Sequence, residues 1–110
     1  MSPSTLPAAQ ALVLQDLVTP TAHGIASRLL EKTPGGNVTL FAFDGGQALT
    51  EHTSAFDALA LVLEGRLTLS VAGAPIDAVP GTIVRLPANV PHAVDAPEAS
   101  RMLLIMLKDA

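Results

Sequence analysis

Apolar and polar positions alternate with a period of two in short runs that glycine and proline punctuate. The clearest is RLTLSVAG, residues 66–73, where Leu67, Leu69 and Val71 alternate with Arg66, Thr68 and Ser70. Successive side chains of a strand point to opposite faces, so this run predicts a half-buried strand ending at Gly73. VTLFAF, residues 38–43, is β-branched and aromatic and predicts another. IASRL (25–29), TIVRLP (82–87) and the proline-bounded HAVDA (92–96) predict three more. ALALVL (58–63) and MLLIML (102–107) are apolar on both faces, as strands covered on both sides are. ALALVL also fits a helix fragment, but the Glu64-Gly65 that follows reads as a two-residue hairpin turn leading into 66–73.

Other breaks fall at KTPGGN (32–37), a loop, and at Asp44-Gly45-Gly46, a turn. VPGT (79–82) has the Pro-Gly centre of a type II turn. Pro75 bars central strand pairing at its position. ALVLQDLV (11–18) fits a short strand or one helical turn, closed by Thr19 and Pro20. Roughly eight short strands, with turn signals every 8 to 12 residues and no strong amphipathic helix, predict an all-β sandwich or barrel. At 110 residues the chain reads as one domain, with MSPSTLPAAQ (1–10) a flexible arm.

Composition narrows the chemistry. The net charge is -4, and the basic residues 28, 32, 66, 85, 101 and 108 are scattered, which argues against nucleic-acid binding. No unbroken apolar run is longer than 58–63, far short of the roughly 20 residues of a membrane span, so no membrane partner is expected. The first basic residue is Arg28, so the start lacks the positive region of a signal peptide. The absence of cysteine excludes disulfides, thiolate metal sites and thiol nucleophiles, and fits a cytoplasmic protein. Tyr and Trp are absent, so there is no phenol for acid–base work and no indole for sugar stacking.

Two spaced motifs then stand out. Gly46 is followed after five residues by His52, and Gly65 closes that stretch. Gly81 is followed after five residues by Pro87, and then by His92. With VLEGRL and PANVPHAV, these spacings resemble the cupin superfamily over about residues 38–107. The resemblance implies a double-stranded β-helix, or jelly-roll barrel, of two packed antiparallel sheets. It also implies a four-ligand metal site, from which this chain departs. Ser54 stands at the second histidine, Ala58 at the glutamate, Asn89 at the second motif's glycine and Ala96 at its closing asparagine. Only His52 and His92 remain as metal ligands.

In one regular strand His52, Ser54, Phe56, Ala58, Ala60 and Val62 share a face, which the resemblance turns inward. With His92, Phe41, Phe43 and alternate members of MLLIML, they would line an apolar ligand pocket with a small polar cluster, roomy beside Ala58 and Ala60. Glu51 and Asp57 lie an odd number of residues from His52 and face away, unless a bulge resets the parity. His23 sits in a loop, and Arg85 reads as a carboxylate clamp or an exposed strand residue. The expected function is binding of a small molecule, a weakly held divalent metal (iron, nickel, zinc or manganese), or both, in the lumen. The alternative is a metal-dependent enzyme of dioxygenase, isomerase or lyase type using His52 and His92. A metal-free general base and a purely structural module are the remaining readings. The opposite face, Leu59, Leu61 and Leu63, needs cover from the 11–18 segment or a second chain, and the resemblance favours a homodimer.

Overall fold

The alternating runs pair as two antiparallel sheets. The computed structural model describes residues 6–108; the expected arm's residues 1–5 lie outside the described residues. The strands are β1 (Ile25–Thr33), β2 (Gly36–Phe43), β3 (Gln47–His52), β4 (Asp57–Glu64), β5 (Leu67–Val71), β6 (Ala74–Ala78), β7 (Ile83–Leu86), β8 (His92–Ala96) and β9 (Ser100–Leu107). One sheet has the order β1-β2-β9-β4-β7 and the other β3-β8-β5-β6. Facing inner surfaces make the jelly-roll barrel.

The period-two pattern fills the space between the sheets. Phe43, Ala58, Ala60, Val62, Leu67, Leu69, Val94 and Met102 belong to one buried cluster. Ala60 and Val62 have 0% accessible surface, so no water-sized void touches them. The small side chains on β4 therefore do not open the lumen; larger neighbours occupy the room expected there. A second cluster, Val18, Leu30, Leu40 and Ala42, covers the outer face of the five-stranded sheet, with Leu14, Leu17 and Leu63 packed against it. Its cover comes from ALVLQDLV, of which Leu14–Leu17 forms one 3-10 turn. Arg28 Nη1 donates to the Leu17 carbonyl at 3.2 Å and ties this strap down.

Two expectations about turns are corrected. Glu64-Gly65 is not a hairpin turn, because β4 and β5 lie in different sheets. It is the corner where the chain crosses between them. Gly65 takes φ +77°, and a Cβ there would come within 2.2 Å of the Ala99 carbonyl oxygen and 2.3 Å of Ser100 Oγ. Residues 32–37 are not a free loop: Lys32 pairs with Asn37 and Thr33 with Gly36, leaving Pro34-Gly35 as a tight hairpin. The hairpin partner of β5 is β6, reached through Ala72 (φ 52°) and Gly73 (φ 81°), the positive angles that a two-residue hairpin favours. Pro75 sits within β6, an edge strand, where a missing N–H is tolerated. The VPGT turn forms as expected, with Gly81 at φ 86° and Thr82 N–H donating to Val79 at 3.1 Å.

A candidate two-histidine site at the barrel mouth

His52 and His92 reach each other through a bulge. β3 and β8 pair Gln47 with Ala96, Ala48 with Asp95 and Leu49 with Val94. Continued unbroken, that register would set Glu51 opposite His92. The register instead shifts after Leu49, and His52 becomes the partner of His92. The extra residue resets face parity, so the exposed His52 ring comes to lie beside His92 on β8.

The two rings meet edge to face, with centroids 4.4 Å apart and planes at 70°. Their Nε2 atoms are 3.1 Å apart. His52 Nδ1 lies 2.8 Å from the Thr50 carbonyl oxygen and His92 Nδ1 lies 3.2 Å from that of Val90. A carbonyl only accepts, so a proton on each Nδ1 is donated to its carbonyl and leaves the two Nε2 lone pairs facing each other, whereas a proton on one Nε2 makes the 3.1 Å contact a hydrogen bond between the rings. Two lone pairs that face each other repel unless a proton or a metal cation lies between them. His92 is 6% exposed, whereas His52 is open to solvent, so approach is from the His52 side.

The neighbours show which other groups can join. Ser54 Oγ accepts from Phe56 N–H at 3.2 Å, and the Ser54 carbonyl accepts from Asn89 N–H at 2.7 Å. Ser54 thus braces the loops that flank the pair, and its hydroxyl closes a local turn. Asn89 takes φ 61°, the left-handed conformation that asparagine tolerates better than most residues. Asp57 faces outward: its carboxylate accepts from Ala88 N–H at 2.8 Å and from Arg85 at 3.0 Å. The Ala88 N–H first, and Arg85 second, hold its carboxyl below the usual carboxylate range. Arg85 is thus an exposed strand residue occupied by Asp57. His23 is exposed, and its backbone N–H donates to Asp44 in the turn before β3, at the end of that strand remote from His52. Among the described residues no third histidine, cysteine or carboxylate joins the pair as a metal ligand.

The other predicted lining residues divide. Phe41 and Phe43 stack at 6.1 Å on the inner face of β2, and Ala58, Ala60 and Val62 lie in the packed core. Phe56 lies in the β3–β4 connection under the Lys108 ammonium, 5.5 Å from the ring centroid. Cavities of about 370 Å³ beside Gly65 and about 310 Å³ beside Gly36 are lined by neither histidine. The first holds Asp44, Glu64, Glu98 and Arg101, residues that no spacing argument brought together.

The fold has counterparts among known proteins. No curated protein matches the chain. Its structure is similar to that of a protein of unknown function from Streptococcus pyogenes, at 30% identity over 96% of this chain and 92% of that one, with a TM-score of 0.89. It is similar to a cupin superfamily protein from Desulfitobacterium hafniense at 29% identity, over 94% and 95% of the two chains, with a TM-score of 0.88. A cupin 2 conserved barrel domain protein from Leptotrichia buccalis is 36% identical over 86% of this chain and 46% of that one, with a TM-score of 0.82. Residues 39–108 match the family model described as the cupin domain. With the jelly roll and both spaced motifs in hand, the chain belongs to the cupin superfamily.

Proposed function

We propose that this cupin holds a divalent metal ion weakly between His52 and His92 and binds a small molecule at the same mouth of the barrel. The supporting observation is the convergence of two Nε2 atoms at 3.1 Å while both Nδ1 atoms meet backbone carbonyls. A metal–nitrogen bond of about 2.0–2.1 Å puts two adjacent ligands of one ion roughly 2.9–3.3 Å apart, between right-angle and tetrahedral arrangements. The observed spacing falls inside that range. Carbonyl partners on the remote ring nitrogens are the outer-shell arrangement that orients metal-binding histidines. The donor set therefore fits a metal. It is short of the three protein ligands of catalytic zinc and of the two histidines and one carboxylate of non-haem iron. Iron, nickel, zinc and manganese all accept imidazole, and weak retention is expected for each.

A bound ion would supply Lewis acidity at the mouth. His52 and His92 would orient it, and the filled core beneath would confine a ligand to the solvent-facing side. A metal-dependent enzyme needs the remaining ligand positions filled by solvent or substrate. Homodimerisation forms part of the reading: Ile83 is 56% exposed on β7, cross-strand from the half-buried Leu61, outside the strap's cover. A second copy packing its own sheet there would bury this face.

The test is zinc, nickel and manganese titration of untagged protein by calorimetry, beside His52→Ala. One ion per chain at micromolar to millimolar affinity, lost in the variant, is the expected result. No binding of any ion by the wild type would overturn the proposal.

A further inference from the structure

Resting on the two-histidine reading of the site, we propose that Asp57 is its positioning residue. By accepting the Ala88 N–H, Asp57 latches together the two chain crossings that carry His52 and His92, and so sets how the two rings face each other.

The topology creates the need for a latch. His52 and His92 are the last pair of β3 with β8, and Ala58 and Leu86 are the end pair of β4 with β7 in the other sheet. Between these pairs, residues 53–56 and 87–91 cross from sheet to sheet. Two hydrogen bonds join the crossings: Asn89 N–H to the Ser54 carbonyl at 2.7 Å and Ala88 N–H to Asp57 Oδ1 at 2.8 Å. The His92 backbone has further support, because it pairs with Val71 and the Pro91 carbonyl accepts from Ala72 N–H at 2.8 Å. His52 has less. The β3–β8 register shifts immediately before it, and the residue is exposed. Its place therefore depends on the crossing that follows.

Asp57 is the fixed end of the latch, because β4 holds it opposite Leu107. From there the contacts reach both rings through three consecutive residues. Ala88 N–H is held by Asp57. Asn89 N–H holds the Ser54 carbonyl, two residues after His52. The Val90 carbonyl meets His92 Nδ1 at 3.2 Å. The acceptor is also separable from the ion pair. Oδ1 takes Ala88 and Oδ2 takes Arg85 Nη2, whose side chain is 64% exposed, so the ion pair adds little. The Ala88 N–H is the first cause of the lowered Asp57 carboxyl, ahead of Arg85. Removing an outer partner that orients metal-binding histidines commonly costs about 10–100-fold in affinity.

Asp57→Ala, Asp57→Asn and Arg85→Ala test the latch. They are compared with the wild type by two-dimensional proton–nitrogen NMR of the imidazoles in metal-free protein, then by zinc calorimetry. Asparagine keeps a carbonyl oxygen for Ala88 N–H and loses the charge. Asp44→Ala is the matched control, because Asp44 also accepts backbone N–H groups, those of His23 and Gly45, at the end of β3 remote from His52. In Asp57→Ala the nitrogen resonances of both rings should move without metal, and zinc affinity should fall about tenfold. The other three variants should keep the wild-type imidazole spectrum and zinc affinity. The Asp57 side chain is 38% exposed, so its removal should leave the circular dichroism spectrum unchanged. Unmoved imidazoles in Asp57→Ala, or equal shifts in Asp57→Asn or Asp44→Ala, would overturn the latch. In the wild type the Ala88 amide should exchange slowly with solvent, and free exchange would overturn the latch whatever the variants do. Shifted imidazoles in Asp57→Ala alone, with no zinc bound by the wild type, would support the latch and overturn only the metal reading.

Discussion

Replacing Gly65 by alanine tests the corner that carries the chain between the sheets. Two separate costs act there. The residue has φ +77°, which for alanine costs roughly 1–2 kcal/mol. Its Cβ would also meet the Ala99 carbonyl oxygen at 2.2 Å, Ser100 Oγ at 2.3 Å and Ser100 Cα at 2.7 Å. Two of these atoms are backbone, so the β8–β9 turn must move. That movement strains the hydrogen bonds from Arg66 N–H to Ser100 Oγ (2.9 Å) and from Ser100 Oγ to the Arg66 carbonyl (3.0 Å). At about 1 kcal/mol each, they bring the total to about 3–4 kcal/mol. Gly73→Ala is the internal control: its φ is +81°, yet nothing lies within 4 Å of the added Cβ, so only the conformational cost of about 1–2 kcal/mol applies. The assay is equilibrium urea denaturation. The chain has no Trp or Tyr, so far-UV circular dichroism is the signal. A difference of about 2 kcal/mol between the variants moves the midpoint by roughly 1–2 M urea. If Gly65→Ala proves no less stable than Gly73→Ala, the close approach at the corner is wrong.

Three further outcomes follow from other residues. Asp57 and Asp44 have folded-state carboxyls held below the usual range, Asp57 first by Ala88 N–H and Asp44 first by His23 N–H. Their stabilisation is present above the unfolded value of about 3.9 and is lost as pH falls through the lower folded values. Asp57→Asn and Asp44→Asn should therefore each flatten the acid limb of stability against pH below about 4, read by urea midpoints; an unchanged limb would contradict this. At Asn89, φ 61° predicts that Asn89→Gly is neutral or stabilising by a few tenths of a kcal/mol and that Asn89→Ala costs about 1 kcal/mol, read by the same midpoints. Ile83→Asp should convert a dimer to a monomer in analytical ultracentrifugation; a wild-type monomer, or an unaffected dimer, would refute the proposed interface.

The barrel was legible in the sequence because burial on one face imposes a period of two, which RLTLSVAG displays directly. It was less legible at sheet boundaries. LEGRL has the composition of a hairpin, and only the pairing of β4 with β7 and β9, and of β5 with β6 and β8, makes it a corner. β6 was hidden because Pro75 signals a break, although an edge strand tolerates it. At the site, sequence spacing singled out His52 and His92, and the structure brings their rings together. The bulge after Leu49 was not legible, because nothing in QALTEH marks an extra residue. Parity placed residues 52–62 on one face of one strand, whereas β3 ends at His52 and β4 begins at Asp57 in the other sheet. The lumen was misjudged for a related reason. Small residues at 58 and 60 suggest space, but the large side chains opposite them come from strands distant in sequence.

The most direct test of the central claim is two-dimensional proton–nitrogen NMR of the imidazoles during zinc titration. Both Nε2 resonances should shift together and saturate at one zinc per chain, while both Nδ1 atoms stay protonated toward Thr50 and Val90. A shift confined to one ring, or zinc at an Nδ1, would contradict a shared ion between His52 and His92.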